Sequence, residues 1–138
     1  MKKSIGMGLS LISTLSFNYS VNAGFMVMVK GNLIYPSDYL PAMVVCAVNI
    51  NSKKRYCIKT KEEQSTFSMK IPSGKYLFSA ETEDFPDKKA WMTSFNIECG
   101  YPCSNNPVYV TIVEIDSGVT TGICPCDWYT DENKLIFP

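Results

Sequence analysis

The chain has 138 residues, with 13 basic and 13 acidic side chains and six cysteines, but no histidine. Lacking histidine, it has neither the usual general base at neutral pH nor the commonest ligand for transition metals, which argues against most hydrolase and metalloenzyme mechanisms. A near-neutral, mixed surface without a basic run argues against nucleic acid or an anionic membrane as the partner. We therefore expect a non-enzymatic protein without catalytic, cofactor-binding or metal-binding residues.

The N-terminal segment has the pattern of a cleavable export signal. Two lysines open it, a short apolar stretch covers residues 5–15, and Val21-Asn22-Ala23 has the small residues that a signal peptidase reads. Hydroxyl residues interrupt the apolar stretch, whereas a transmembrane helix needs about 20 apolar residues in succession. We expect residues 1–23 to be removed as a signal peptide. Residues 24–138 then form a single domain without a membrane span, periplasmic or secreted.

The rest of the chain has the alternation of apolar and polar residues that is typical of β-strands. The predicted strands cover residues 25–35, 43–50, 55–60, 65–71, 76–83, 91–98, 108–116 and 119–123. Turn-forming residues at 49–54 and at Pro72-Ser73-Gly74 predict two hairpins, and the apolar C-terminal end predicts packing along a sheet edge. Seven to eight short strands predict an all-β, two-layer β-sandwich stapled by disulfides.

Six cysteines in an exported chain indicate disulfides, although fifteen pairings are possible. Cys46 and Cys57 lie at matching distances from the 49–54 turn, so they are expected to face each other across a hairpin. Cys99 and Cys103 flank a turn-forming spacer, which lets their sulfurs meet. The sequence therefore favours structural disulfides at both places.

Cys124 and Cys126 complete the set and leave more than one interpretation open. A Cys-Pro-Cys ring is tight, so these two cysteines are candidates for a labile, redox-active pair. A structural disulfide is favoured over that, and a metal site is least favoured because no histidine completes a mixed ligand set. A cross-link from this segment to Cys46 or Cys57 is a further alternative.

Aromatic residues near turns supply the candidates for ligand binding, because tryptophan and tyrosine offer large contact areas at small entropic cost. Trp128 has a favoured alternative role as a core residue that closes one end of the domain, with Asp127 capping the local turn. Trp91 is likewise in phase with core positions. The candidate ligand-binding residues are Tyr35, Tyr39, Trp91, Tyr101, Asp127, Trp128 and Tyr129.

An acidic loop contains Glu81, Glu83, Asp84 and Asp87. Paired carboxylates can hydrolyse glycosides or bind calcium. No aromatic subsite run or alternating Asp/Asn-Gly pattern accompanies these residues, so a solvated surface loop is the favoured interpretation.

Four segments, quoted in chain order, resemble the transthyretin-like domain that is the regulatory domain of carboxypeptidases. They are Gly31-Asn32-Leu33-Ile34, Leu40-Pro41-Ala42-Met43-Val44-Val45-Cys46-Ala47, Ile71-Pro72-Ser73-Gly74-Lys75-Tyr76, and Val110-Thr111-Ile112 leading to Gly118-Val119-Thr120. Cys99-Gly100 with Cys103, together with Asp127-Trp128-Tyr129, resembles a group of exported bacterial proteins that carry this domain alone. The resemblance implies a module without catalytic residues of its own.

These observations predict an exported binding module that recognises a protein or glycan ligand in the cell envelope or outside the cell. One alternative is an inhibitor or immunity protein against an enzyme of the same compartment. Another is a thiol-disulfide redox protein that uses Cys124 and Cys126. The sequence leaves the oligomeric state open.

Overall fold

The computed structural model describes residues 26–95 and 107–138. The regular secondary structure of the described part is almost entirely β-strand, and it includes a short 3-10 helix, Glu132–Lys134. The strands are β1 Met26–Asn32, β2 Val44–Asn49, β3 Arg55–Lys59, β4 Thr66–Pro72, β5 Gly74–Glu81, β6 Ala90–Trp91, β7 Val108–Tyr109, β8 Val113–Ile115, β9 Val119–Ile123 and β10 Leu135–Ile136. The all-β prediction is confirmed. The proposed signal peptide, Cys99, Tyr101 and Cys103 lie outside the described residues.

A three-stranded sheet has the order β4-β1-β9. Strands β1 and β4 are antiparallel and paired along their whole length, from Met26 opposite Pro72 to Asn32 opposite Thr66. Strand β9 runs parallel to β1 on its other side. Alternate residues of β1 and β4 are buried, as their sequence pattern predicts, so one face of this sheet contributes to the core.

Glycine at position 31 allows β1 and β9 to approach closely. The β1–β9 register shifts between Val29 and Gly31. A Cβ atom at Gly31 would collide with the backbone oxygen of Ile123 and with the ring of Phe67. A side chain at this position would therefore push β9 away from β1.

A five-stranded sheet has the order β3-β2-β5-β6, and β8 pairs with β5 beyond the end of β6. The predicted 49–54 hairpin is confirmed, since β2 and β3 pair in antiparallel fashion around it. The Oδ1 atom of Asn49 accepts the N–H groups of Asn51 and Ser52, each at 2.9 Å. Lys53 has the left-handed backbone conformation of this turn, with φ of 66°.

The predicted hairpin at residues 72–74 is wrong. Strand β4 ends at Pro72 and β5 begins at Gly74, but β4 pairs with β1 whereas β5 pairs with β2. The chain therefore passes from one sheet to the other at this corner. The physical reason is that the apolar faces of β4 and β5 enter the core from two different sheets. A hairpin would place both strands in the same sheet.

Two of the predicted strands are shorter or divided. The segment predicted at 91–98 contributes only Trp91 to β6 among its described residues, and the segment predicted at 108–116 is split into β7 and β8. The C-terminal end packs as predicted, because β10 runs parallel to β7 with Ile136 opposite Tyr109.

Both larger sheets bury side chains in one core cluster. Its largest fully buried members include Ile71 of the three-stranded sheet and Tyr76 and Phe78 of the five-stranded sheet. The hydroxyl of Tyr76 donates to the Pro72 carbonyl at 2.7 Å, and burial raises the pKa of this phenol. The cluster comprises Val27, Val29, Leu33, Met43, Val45, Ala47, Phe67, Met69, Ile71, Tyr76, Phe78, Ala80, Ala90, Ile115, Ile123 and Trp128.

Candidate binding surface

Pairing near the C-terminus gathers large apolar side chains that are distant in sequence. Strand β10 lies beside β7, and the backbone of Ser94 donates to the Tyr109 carbonyl at 2.9 Å. The ring of Tyr129 stacks on Phe95, with centroids 5.6 Å apart and planes inclined by 26°. We call this region the C-terminal aromatic surface and define it as Phe95, Tyr109, Tyr129, Ile136 and Phe137.

This surface is held in place but still open to solvent. Tyr109 and Tyr129 are 52% and 51% exposed, and Ile136 and Phe137 are 42% and 41% exposed. The ring of Phe137 contacts Trp91 edge-on at a centroid distance of 5.1 Å. These side chains thus present apolar area to solvent while packing fixes part of their conformation.

A buried aspartate fixes the turn that carries Tyr129. Asp127 is 6% exposed, and its Oδ1 atom accepts the N–H groups of Tyr129 and Thr130 at 3.0 and 2.9 Å. Its Oδ2 atom accepts the hydroxyl of Thr93 at 2.8 Å. Both carboxylate oxygens are therefore used, and Asp127 links the 127–130 turn to the segment that follows β6.

Trp128 lies in the core, which agrees with the favoured interpretation of its sequence context. It is 7% exposed, and its indole N–H donates to the Ile34 carbonyl at 2.7 Å. The ring of Tyr35 packs edge-on against it, with centroids 5.1 Å apart. Trp128 therefore anchors the C-terminal segment to the chain that follows β1.

Trp91 occupies the face of the five-stranded sheet that points away from the core. Register pairs place Cys57, Cys46, Ser79, Trp91 and Asp127 in one row across this face. Trp91 is 8% exposed, and its indole N–H has no hydrogen-bond partner within the described ranges. The Lys89 ammonium lies 5.9 Å from the centre of its ring, within the range of a cation–π contact.

Five of the candidate ligand-binding residues therefore come together. They are Tyr35, Trp91, Asp127, Trp128 and Tyr129, of which Tyr129 is the most exposed. Sequence reasoning missed Phe95, Tyr109, Ile136 and Phe137. For Ile136 and Phe137, the apolar end of the chain was the one signal in the sequence. Exposure of a side chain on a short strand depends on which neighbouring segment covers it, and a local sequence pattern does not show this.

Tyr39 belongs to a different part of the surface. It is 42% exposed and lies near the Glu62 carboxylate. Hydrogen bonding of its neutral phenol to Glu62 is the main cause that raises the pKa of Tyr39 to about 12, with burial and the charges of Glu62, Asp84 and Glu63 adding to it. Tyr39 is therefore a polar surface contact rather than an aromatic platform.

An open groove of about 350 Å³ lies where β2 begins and where β3 and β5 end. Its polar groups include Lys59, Glu81 and Glu83, and the hydroxyl of Thr60 is turned to the Met43 backbone, whose N–H it accepts at 3.0 Å. Residues 26–95 and 107–138 contain no group of three or more side chains placed to hold a metal ion. They also contain no helix with the length and apolar character to cross a membrane.

The structure pairs Cys46 with Cys57, as the hairpin geometry predicts. It also pairs Cys124 with Cys126 across Pro125, which is fully buried, rather than linking either of them to the β2–β3 hairpin. All four cysteines in the described part of the chain are thus engaged in pairs.

Comparison with known proteins gives little similarity. No protein-family model matches the chain, and no curated protein matches it. A leucine-rich repeat protein from Bacteroides thetaiotaomicron VPI-5482 aligns with 94% of this chain at 9% identity and a TM-score of 0.36. The chain spans 16% of that protein, and a similarity at this level is too low to identify a shared fold.

Proposed function

We propose that this chain is an exported, non-enzymatic binding module that recognises a protein or glycan ligand through the C-terminal aromatic surface. The observation that carries the proposal is the exposure of Tyr109, Tyr129, Ile136 and Phe137 on paired strands and a fixed turn, with Tyr109 directly opposite Ile136. Groups of exposed apolar residues are characteristic of interaction sites, whereas single exposed apolar residues are ordinary.

The physical argument rests on rigidity. Binding costs conformational entropy for each side chain that becomes immobilised. Tyr129 is already stacked on Phe95, and Phe137 is already packed on Trp91, so less freedom is lost on contact with a ligand. Aromatic rings also contribute large apolar area and weak polar contacts to both protein and glycan partners.

The proposal includes the finer description of the fold and the compartment. We propose a two-layer, transthyretin-like sandwich, supported by the two sheets that share one core cluster. Export is supported by the N-terminal signal pattern, and the cysteine pairs agree with an oxidising compartment, either the periplasm or the exterior.

A comparison of two surface variants tests the proposal. Residues 24–138, as wild type and as the double variant Tyr129→Ser with Phe137→Ser, are applied to a glycan array and to envelope extract, and captured proteins are purified for affinity measurement. We expect the double variant to lose about tenfold or more in affinity for the ligand, since hot-spot aromatics often contribute above 1 kcal/mol each. If a captured protein is an enzyme and residues 24–138 inhibit it, the binding module acts as an inhibitor or immunity protein.

The matched control is Val119→Ser, which removes an apolar side chain that is 58% exposed on β9, in the other sheet. It is expected to leave affinity unchanged. The proposal is overturned if the double variant binds as tightly as wild type while its circular dichroism spectrum is native, or if Val119→Ser loses as much.

A further inference from the structure

Of the two disulfides in the described part of the chain, Cys46–Cys57 is the one whose surroundings favour chemical exchange, because Cys57 is exposed whereas Cys124 and Cys126 are half-buried. The two residues lie directly opposite each other in the β2–β3 hairpin, with Cα atoms 4.1 Å apart. Among the residues that the structure describes, β3 pairs with β2 alone and forms the edge of its sheet. A reagent can therefore approach this disulfide from the edge.

The two halves of the disulfide differ in accessibility. Cys57 is exposed on the outer face of β3, whereas Cys46 is 1% exposed between β3 and β5. Exchange proceeds by attack of a thiolate along the line of the sulfur–sulfur bond, so access decides which sulfur is attacked. The accessible sulfur is that of Cys57, and the leaving sulfur is then that of Cys46.

A cation lies next to the leaving sulfur. The Nη2 atom of Arg55 donates to the Cys46 sulfur at 3.3 Å. Arg55 and Lys59 both lie on the same face of β3 as Cys57, two residues to either side of it. A neighbouring positive charge stabilises a thiolate and makes it a better leaving group.

Backbone pairing holds the hairpin together in addition to the disulfide. Paired residues of β2 and β3 lie on both sides of the disulfide, from Val44 opposite Lys59 to Val48 opposite Arg55. Strand β2 is also paired with β5 along its length. After reduction, the two thiols would still face each other and could close again.

We propose that Cys46–Cys57 is a reversible thiol-exchange site for an external dithiol. A thiolate of the dithiol attacks the Cys57 sulfur, forms a mixed disulfide there, and expels Cys46 as a thiolate beside Arg55. The second thiol of the reagent then attacks the reagent's own sulfur in the mixed disulfide and releases Cys57. The dithiol is oxidised to a disulfide, and its two protons and two electrons are transferred to the cysteine pair.

The test uses residues 24–138 in oxidised form with dithiothreitol as the dithiol. Samples are alkylated at intervals, and each cysteine is quantified by peptide mass spectrometry. We expect Cys46 and Cys57 to become alkylated together, before Cys124 and Cys126. With the monothiol glutathione, the trapped adduct is expected on Cys57. Earlier reduction of Cys124 and Cys126, or an adduct on Cys46, would overturn the proposal.

Variants of Arg55 separate the role of its charge from a role in packing. Arg55→Gln should slow reduction by about threefold to tenfold, because the leaving thiolate loses its cation. Arg55→Lys should restore part of the rate, and Lys70→Gln, on β4 of the other sheet, should leave it unchanged. Equal rates for Arg55→Gln and Lys70→Gln would refute the role of Arg55, provided that circular dichroism shows all variants folded.

Discussion

At the scale of single residues, three of the four buried polar side chains in the described part of the chain hold turns and chain crossings, namely those of Thr60, Thr82 and Asp127. Thr60 is 5% exposed and accepts the backbone N–H of Met43, which lies 17 residues away. Thr82 is 7% exposed and accepts the N–H of Asp84 at 3.4 Å. Asp127 does the same for two N–H groups and adds a hydroxyl. In each case, a buried oxygen satisfies a backbone donor that no strand partner reaches.

Asp127 should contribute more to stability than any exposed cap. In Asp127→Ala, two backbone N–H groups and the Thr93 hydroxyl lose their acceptor inside the protein. We expect the free energy of unfolding in urea to fall by about 2–4 kcal/mol, because hydrogen bonds to a charged group contribute about 1.5–3 kcal/mol each and do not add fully. Asp127→Asn, which keeps one carbonyl oxygen, should lose less.

Asp131 provides the control for this prediction. Its carboxylate accepts the Asn133 N–H at 3.2 Å, but the residue is exposed at the start of the 3-10 helix. Asp131→Ala should cost about 1 kcal/mol or less, as exposed caps do. Equal losses for the two alanine variants would contradict a special role for Asp127.

Tyr39 should titrate at higher pH than an ordinary tyrosine. Its pKa is raised from 10.0 to about 12, chiefly because the neutral phenol donates to the Glu62 carboxylate. A pKa that is higher in the folded state means that the contribution to stability is complete below pH 10 and is lost as the pH rises through 12. Ultraviolet difference titration of wild type against Tyr39→Phe measures this pKa directly.

Substitutions of the neighbouring acids identify the cause of the shift. Glu62→Gln should bring the Tyr39 pKa back towards 10, whereas Glu63→Gln should change it only slightly, since Glu63 acts through its charge alone. A Tyr39 that titrates with an unshifted pKa in the wild type would refute the Glu62 contact.

At the scale of the strands, the alternation of polar and apolar residues accounts for most of what the sequence could predict. Strand β4 and the β2–β3 hairpin lie within a residue or two of their predicted bounds, and Cys46 faces Cys57 as expected. The assignment of β4 and β5 to different sheets could not be predicted. Alternation determines which face of a strand is buried, but it does not determine which strand lies beside it.

The candidate site shows the same limit. Asp127-Trp128-Tyr129 is predictable from the sequence, because an acid at a turn indicates a cap and the aromatic residues beside it are candidates for ligand binding. The exposure of Tyr109 and the bridge from Trp128 to Ile34 depend on contacts between distant segments, which no local pattern encodes. The site could therefore be located by its turn, but its extent could not.

Of the described glycines, Gly31 has the least room for a side chain. In Gly31→Ala, the new methyl group would collide with the Ile123 carbonyl oxygen, a backbone atom that cannot rotate away. Since β1 and β9 must separate to relieve the clash, we expect the free energy of unfolding to fall by about 2 kcal/mol or more. Thermal and urea unfolding of residues 24–138 provide the measurement.

The control is Gly118→Ala, at a turn glycine with φ of 75° and open space where its Cβ would lie. Only the backbone conformation opposes alanine there, at a cost of about 1 kcal/mol. If Gly31→Ala is no less stable than Gly118→Ala, then β1 and β9 are not in close contact at Gly31.

At the scale of the whole molecule, the described strands depend on a core that neither large sheet completes alone. The three-stranded sheet contributes residues such as Ile71, and the five-stranded sheet contributes residues such as Ile115, to the same buried cluster. Trp128 joins that cluster, while Trp91 lies on the outer face of the five-stranded sheet. Loss of either sheet would expose the apolar face of the other to water.

Unfolding of residues 24–138 should therefore be a single cooperative transition in which far-ultraviolet circular dichroism and tryptophan fluorescence change together. Ile71→Val and Ile115→Val form a matched pair, since both isoleucines are fully buried and each belongs to a different sheet. Each variant should cost about 1 kcal/mol and shift the transition equally for both probes, because removal of one methyl group weakens the shared core from either side. Two separate transitions, or a variant that shifts only one probe, would show that the sheets unfold independently.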